Sequence, residues 1–230
     1  EMKRFLIITI SIILGSCTSK KEYAVTVDNI GALKEIMHQG KFQARVKLDT
    51  LAQKGIYGLG AADSLGGEVM IVDGVVYESI VQDTTAIVNE NANAEATLLV
   101  YAKVHKWDTL LVNNLDTDLE AFIARKAESH KLIAPFPFIV SGRPRVKYHV
   151  INFDAKNGDI KNHKGGAYYD EINNEVSIVL GFYATDAKGI YTHHDSDVHM
   201  HVLNKNKTVM GHVEAIDFDG DNFQLLLPAK

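Results

Sequence analysis

Between Val198 and Val213 the chain reads VHMHVLNKNKTVMGHV, and five of its ten histidines fall between His193 and His212. Neutral imidazole is the commonest nitrogen ligand for a metal ion, so metal binding is the chemistry such crowding raises first. Along a strand, side chains two apart share a face. His199 and His201 therefore point one way, while Val198, Met200 and Val202 point the other, into a core. The intervening LNKNKT is a polar turn. With Asn206 and Lys207 as a two-residue turn, the register sets His212 directly opposite His201, with Cβ atoms about 5 Å apart. Three converging imidazoles leave one tetrahedral position open, which is the arrangement of a catalytic zinc rather than a closed structural one. A lone HxH would be weak evidence; three histidines in register are stronger. His193, His194, Asp195 and Asp197 read as a solvated loop that could offer alternative ligands, and His38, His105, His130 and His163 are assigned no role.

The elements that must hold these residues are mostly strands. GEVMIVDGVVYESI has two β-rich runs around Asp73-Gly74, a dipeptide suited to a type I′ hairpin turn. TLLVYAKV, FPFIVSG, EVSIVLGFYA and NFQLLLP are further apolar runs of strand length. GALKEIMHQG predicts a short helix ended by Gly40. LDTDLEAFIARKAESH predicts a second, capped by Asp116 or Thr117, with Thr117 and Glu120 as a capping box and Leu119, Phe122 and Ile123 as the buried stripe. The class is α+β, mainly β-sheet, in two regions: an N-terminal sheet region to about residue 151 and a C-terminal one from about 167, joined by the turn-rich segment 152–166.

Composition bounds the rest. The 230 residues are 46% hydrophobic and 23% charged, enough for a sizeable core. A net charge of -5 with scattered Lys and Arg offers no basic stripe, so no nucleic-acid partner is expected. Lys3 and Arg4, the apolar run FLIITISIIL and then LGSC form a positive n-region, an h-region and a lipobox-like end. Residues 1–17 thus read as a bacterial lipoprotein signal, with Cys17 as a lipid anchor to the cell envelope and the sole membrane attachment. Residues 18–24 then read as a tether and 25–230 as the domain. Cys17 is the only cysteine, so any metal must be held by His, Asp or Glu.

Spacing argues against other histidine metal folds. A cupin would need a glutamate shortly after HxH, where Asn204, Lys205 and Asn206 stand. The residues instead resemble the α-acetolactate decarboxylase family, which carries GxHxHF followed by GGHV with the same separation as His201 and His212. In the N-terminal half, YGLGAADSLGGEVMIVDGVVY is similar to the family's GxGTFxxLDGEMIVLDGxxYQ. The resemblance covers roughly residues 25 to 228. It implies His199, His201 and His212 as ligands of a Zn2+ ion, Glu68 as the carboxyl group beside it, and decarboxylation of acetolactate, a 2-hydroxy-3-oxo acid, through a metal-stabilised enediolate that Glu68 protonates. It also implies a homodimer. This chain departs from the pattern at Ala61, where the family has threonine, and in IVSGRPRVKYHV, where the family places an arginine for the substrate carboxylate. Arg143, Arg145, Lys147 and His149 share one strand face there by alternation, and Arg145 and His149 are the residues expected at the substrate. The other readings are a zinc enzyme on the same scaffold acting on a different small acid, and a non-catalytic metal- or ligand-binding lipoprotein.

Overall fold

The computed structural model describes residues 21–220 and 222–230. The expected signal, the lipobox Cys17 and residues 18–20 of the expected tether lie outside them. The end of the expected tether, Tyr23–Ala24, is instead a strand (β1) that belongs to the domain. It pairs in parallel with β10 (Leu132–Ile133), and the Tyr23 hydroxyl donates to the Pro228 carbonyl at 2.6 Å.

Seven strands form the first sheet: β2 (Val27–Ile30), β3 (Val46–Lys47), β4 (Ile56–Ala62), β5 (Gly67–Val72), β6 (Val75–Gln82), β7 (Thr85–Glu90) and β8 (Glu95–Lys103). Asp73 and Gly74 close the β5–β6 hairpin with φ of 50° and 85°, the left-handed pair that the DG dipeptide predicts. Helix α1 (Leu33–Gln39) stops at Gly40, whose φ of 62° suits a residue without Cβ.

Eight strands form the second sheet, in the order β13-β12-β16-β15-β14-β11-β17-β9. They are β9 (Trp107–Val112), β11 (Phe136–Gly142), β12 (Arg145–Val150), β13 (Tyr168–Ile172), β14 (Ser177–Tyr183), β15 (Val198–Asn204), β16 (Met210–Asp217) and β17 (Phe223–Pro228). The changeover between sheets therefore falls between β8 and β9, not in 152–166 as the turn-rich composition predicts. That segment links β12 to its own antiparallel neighbour β13. Polar turn residues mark where a chain leaves a strand and are silent about which sheet it rejoins.

The helix α2 (Leu119–His130) begins one or two residues later than a cap at Asp116 or Thr117 predicts. Asp118 is its N-cap, accepting from the Ala121 amide at 2.9 Å, while Glu120 reaches away to the Ser196 hydroxyl and the Asp197 amide. Leu119, Phe122, Ile123 and Ala127 pack on one face of the second sheet with Phe136, Phe138, Phe223, Val198 and Val202. The opposite face meets the first sheet through Leu59, Met70 and Val100 against Leu180, Phe182, Leu203 and Met210. Strand alternation puts His199 and His201 on the face of Leu203, and His212 on that of Met210. All three imidazoles consequently point between the sheets.

Candidate metal centre

The β15–β16 hairpin sets the register. His201 pairs with His212 and Leu203 with Met210, the predicted alignment. The turn is wider than a two-residue one, spanning residues 205–208, and Asn204 braces it by accepting from the Thr208 and Val209 amides at 2.9 and 3.1 Å. Both forms share one centre of symmetry, so the register is the same.

His199, His201 and His212 each offer a ring nitrogen within 4.8 Å of the others, and the His199 Nε2 to His212 Nδ1 distance is 3.2 Å. All three are buried. Neither nitrogen of His201, nor Nδ1 of His199, has a hydrogen-bond partner. Buried polar atoms are almost always paired, so unpartnered imidazole nitrogens converging on one point fit a metal ion that satisfies them. Burial, reinforced by neighbouring imidazoles, lowers all three pKa values: His201 falls to about 3, and His199 and His212 fall well below the ordinary range. The neutral form that a metal needs is the form the fold imposes.

Glu68 arrives from the other sheet. Its strand β5 packs against β16, and the carboxyl is 4% exposed, with Oε2 3.5 Å from His201 Nε2 and Oε1 3.8 Å from His149 Nε2. The Ile151 amide donates to Oε1 at 3.2 Å. Burial outweighs that hydrogen bond and raises the Glu68 pKa to about 8, so the group is a protonated acid at neutral pH.

His149 lines the same cavity, opposite His212 in the β12–β16 ladder. Burial and the charge of Lys164 lower its pKa to about 4. Arg145 is not at the site. Its guanidinium pairs with Asp219 on the exposed end of β12, and Arg143 donates to the Asn174 carbonyl. Alternation does put 145, 147 and 149 on one face. Four residues of strand, however, carry Arg145 about 13 Å from His149, beyond the cover of the first sheet.

A family model for alpha-acetolactate decarboxylase matches residues 29–227. The chain belongs to the α-acetolactate decarboxylase family. Among solved structures it is similar to an alpha-acetolactate decarboxylase from Bacillus subtilis strain 168, with 18% identity and a TM-score of 0.72 over 89% of this chain and 85% of that one. An acetolactate decarboxylase from Bacillus subtilis subspecies spizizenii is 16% identical, with a TM-score of 0.73 over 89% and 86% of the two chains. A Staphylococcus aureus protein of unknown function, described as similar to alpha-acetolactate decarboxylase, is 14% identical with a TM-score of 0.70 over 89% and 85%. At these identities the likeness establishes the fold. No curated protein matches the chain.

In this family chain His199, His212, His149 and Glu68 border a cavity of about 80 Å³ whose other wall is apolar, with Leu33, Ile36, Met37, Leu65, Leu98 and Ile151. Gly60 lines it where a Cβ would meet the Leu98 carbonyl oxygen at 1.9 Å, so only glycine fits. Sequence reasoning gave no role to His163, Lys164, Tyr191 or Glu214, and named His193 only as an alternative ligand on a solvated loop. Tyr191 and His193 line the cavity from a loop, and the His193 ring lies edge-on to His212 at 5.3 Å. Lys164 lines it from the 151–167 connection, and Glu214 sits 2.7 Å from His149 Nδ1 and 2.8 Å from Lys164 Nζ. Glu214 is the extra residue of a β-bulge: Lys147 pairs with Ala215 but Tyr148 pairs with Val213. Loops and bulges have no periodicity, so no spacing marks them.

Proposed function

We propose that this chain catalyses the zinc-dependent decarboxylation of 2-acetolactate to acetoin. The observation that carries the reading is a buried, protonated Glu68 carboxyl 3.5 Å from a buried cluster of three neutral histidines, in which both nitrogens of His201 and Nδ1 of His199 have no partner. A zinc ion held by His199, His201 and His212 would supply Lewis acidity, drawing negative charge onto a substrate oxygen.

The chain's own residues do the remainder. Loss of carbon dioxide breaks the bond between the carboxylate carbon and the hydroxyl-bearing carbon and leaves its electron pair delocalised toward the neighbouring carbonyl, as an enediolate. The Glu68 carboxylic acid gives its proton to that carbon, forming the C–H bond of acetoin, and then regains a proton from solvent. His149 stays neutral beside Glu68 and so adds no positive charge that would ionise it early. Leu33, Ile36 and Met37 receive the methyl groups and keep water from the reacting carbon.

The test follows acetoin from racemic acetolactate with the zinc-loaded chain beside a His199→Ala control. Acetoin from the first and none above background from the second is the expected result. Stoichiometric zinc with no acetoin from either would sink the reading. A zinc enzyme acting on another small hydroxy acid would then take its place, favoured by Ala61 and by the absence of Arg145 from the cavity.

A further inference from the structure

An acid substrate brings a carboxylate into this cavity. The charge of a bound metal ion would act on the oxygen that gathers the electrons, so a separate countercharge for the carboxylate has to come from a side chain. The three basic residues of β12 supply none there: Arg143 and Arg145 have partners outside the cavity, and Lys147 is exposed. Among the described residues that line the cavity, Lys164 is the one lysine or arginine.

The chain fixes Lys164 in place from both sides. The connection that carries it is pinned at its start by the Ile151 amide on Glu68 and by the Phe153 amide on the Leu65 carbonyl at 3.0 Å. A 3-10 turn over Ile160–Asn162, capped by Asp159, then lifts Lys164 to the cavity mouth. There Nζ lies 2.8 Å from Glu214 Oε1, with a third of the side chain exposed. An ammonium has three N–H donors and Glu214 takes one, so two remain for an incoming carboxylate.

We propose that Lys164 receives the carboxylate of the substrate, with Glu214 holding its ammonium at the mouth of the cavity. This rests on the acetolactate reading for the identity of the substrate, and on geometry alone for the residue. Lys164 is thus a residue that selects small 2-hydroxy acids over their uncharged analogues.

The probe is 2,3-dihydroxy-2-methylbutanoate, which keeps the carboxylate and hydroxyl but lacks the ketone needed for decarboxylation, compared with its uncharged methyl ester. Calorimetric titration of the zinc-loaded full chain should show Lys164→Met weakening the acid by about 10- to 100-fold, the loss expected for a hydrogen bond between charged groups. The ester should bind within twofold of wild type, Lys164→Arg should restore most of the acid affinity, and all three proteins should hold one zinc. Acid binding unchanged in Lys164→Met, acid and ester weakened alike, or a wild type that does not prefer acid to ester would each overturn the assignment. Acetolactate turnover separates the two proposals. A wild type that makes acetoin while Lys164→Met keeps its KM refutes Lys164 and leaves the decarboxylase reading. A wild type that makes no acetoin, yet loses the acid on Lys164→Met, supports Lys164 and removes acetolactate.

Discussion

The two sheets meet at one cavity but bring it unlike chemistry by unlike routes. The second sheet delivers three imidazoles on a single hairpin, close in sequence and locked in register by strand pairing. The first delivers one carboxyl group, Glu68, whose distance from the histidines depends on how β5 packs against β16. Burial acts on both toward the uncharged form. It pushes the imidazoles down, leaving lone pairs free for a cation, and pushes the carboxyl up, leaving it a proton to give. The same desolvation thus makes a ligand set on one side and an acid on the other.

The largest expected effect breaks that division of labour. Glu68→Gln keeps the acceptor for the Ile151 amide and removes only the proton donor, so kcat for acetoin formation should fall by about 10²- to 10⁴-fold while zinc content stays at one per chain. Zinc lost together with activity would mean that the carboxyl is a ligand and the two sheets share one role. Steady-state kinetics beside metal analysis decides it.

A second effect sharpens the comparison through stability of the metal-free protein. Glu68 has a folded pKa of about 8, above its unfolded value, so its contribution is full below pH 4.5 and is lost as pH rises through 8. The histidines have folded values below 6.5, about 4 for His149 and about 3 for His201, so theirs is full above 6.5 and is lost as pH falls. Urea unfolding should show Glu68→Gln more stable than wild type at pH 9, on the order of 5 kcal/mol. At pH 4 that gain should be absent, with both proteins weakened by proton uptake on unfolded histidines. Equal stability of the two proteins at pH 9 would show that burial leaves the Glu68 carboxyl at its ordinary pKa.

The smallest effect concerns a residue on the far part of the site strand. Arg145→Ala removes an exposed, solvent-screened ion pair with Asp219 and should change KM for acetolactate by less than twofold. A tenfold rise would return Arg145 to the substrate site.

The part of this site legible in the sequence is the part written in strand periodicity. HxH, a polar turn and a third histidine specify faces and register, because a one-residue slip would turn every side chain over. Glu68 was legible only through its family motif, since nothing local says what a strand will face across a core. The Arg145 expectation had the correct face but lacked extent: alternation says nothing about where the covering sheet ends. The sheet boundary and the α2 cap were displaced for related reasons, one because connection residues are silent on pairing partner and the other because Asp116, Thr117 and Asp118 are chemically equivalent caps. Lys164 and Glu214 come from a loop and a bulge, which follow no repeat at all.

The bulge at Glu214 has a consequence for how this scaffold can be altered. Val213 and Ile216 both face the α2 side, three positions apart, because Glu214 is surplus to the ladder. Excising it would leave them two apart, in ordinary alternation, with every neighbour still on its own side. The anionic fitting at the cavity rim is therefore detachable from the frame that carries it, and the ionic character of the entrance is open to editing by a single codon without turning a strand over.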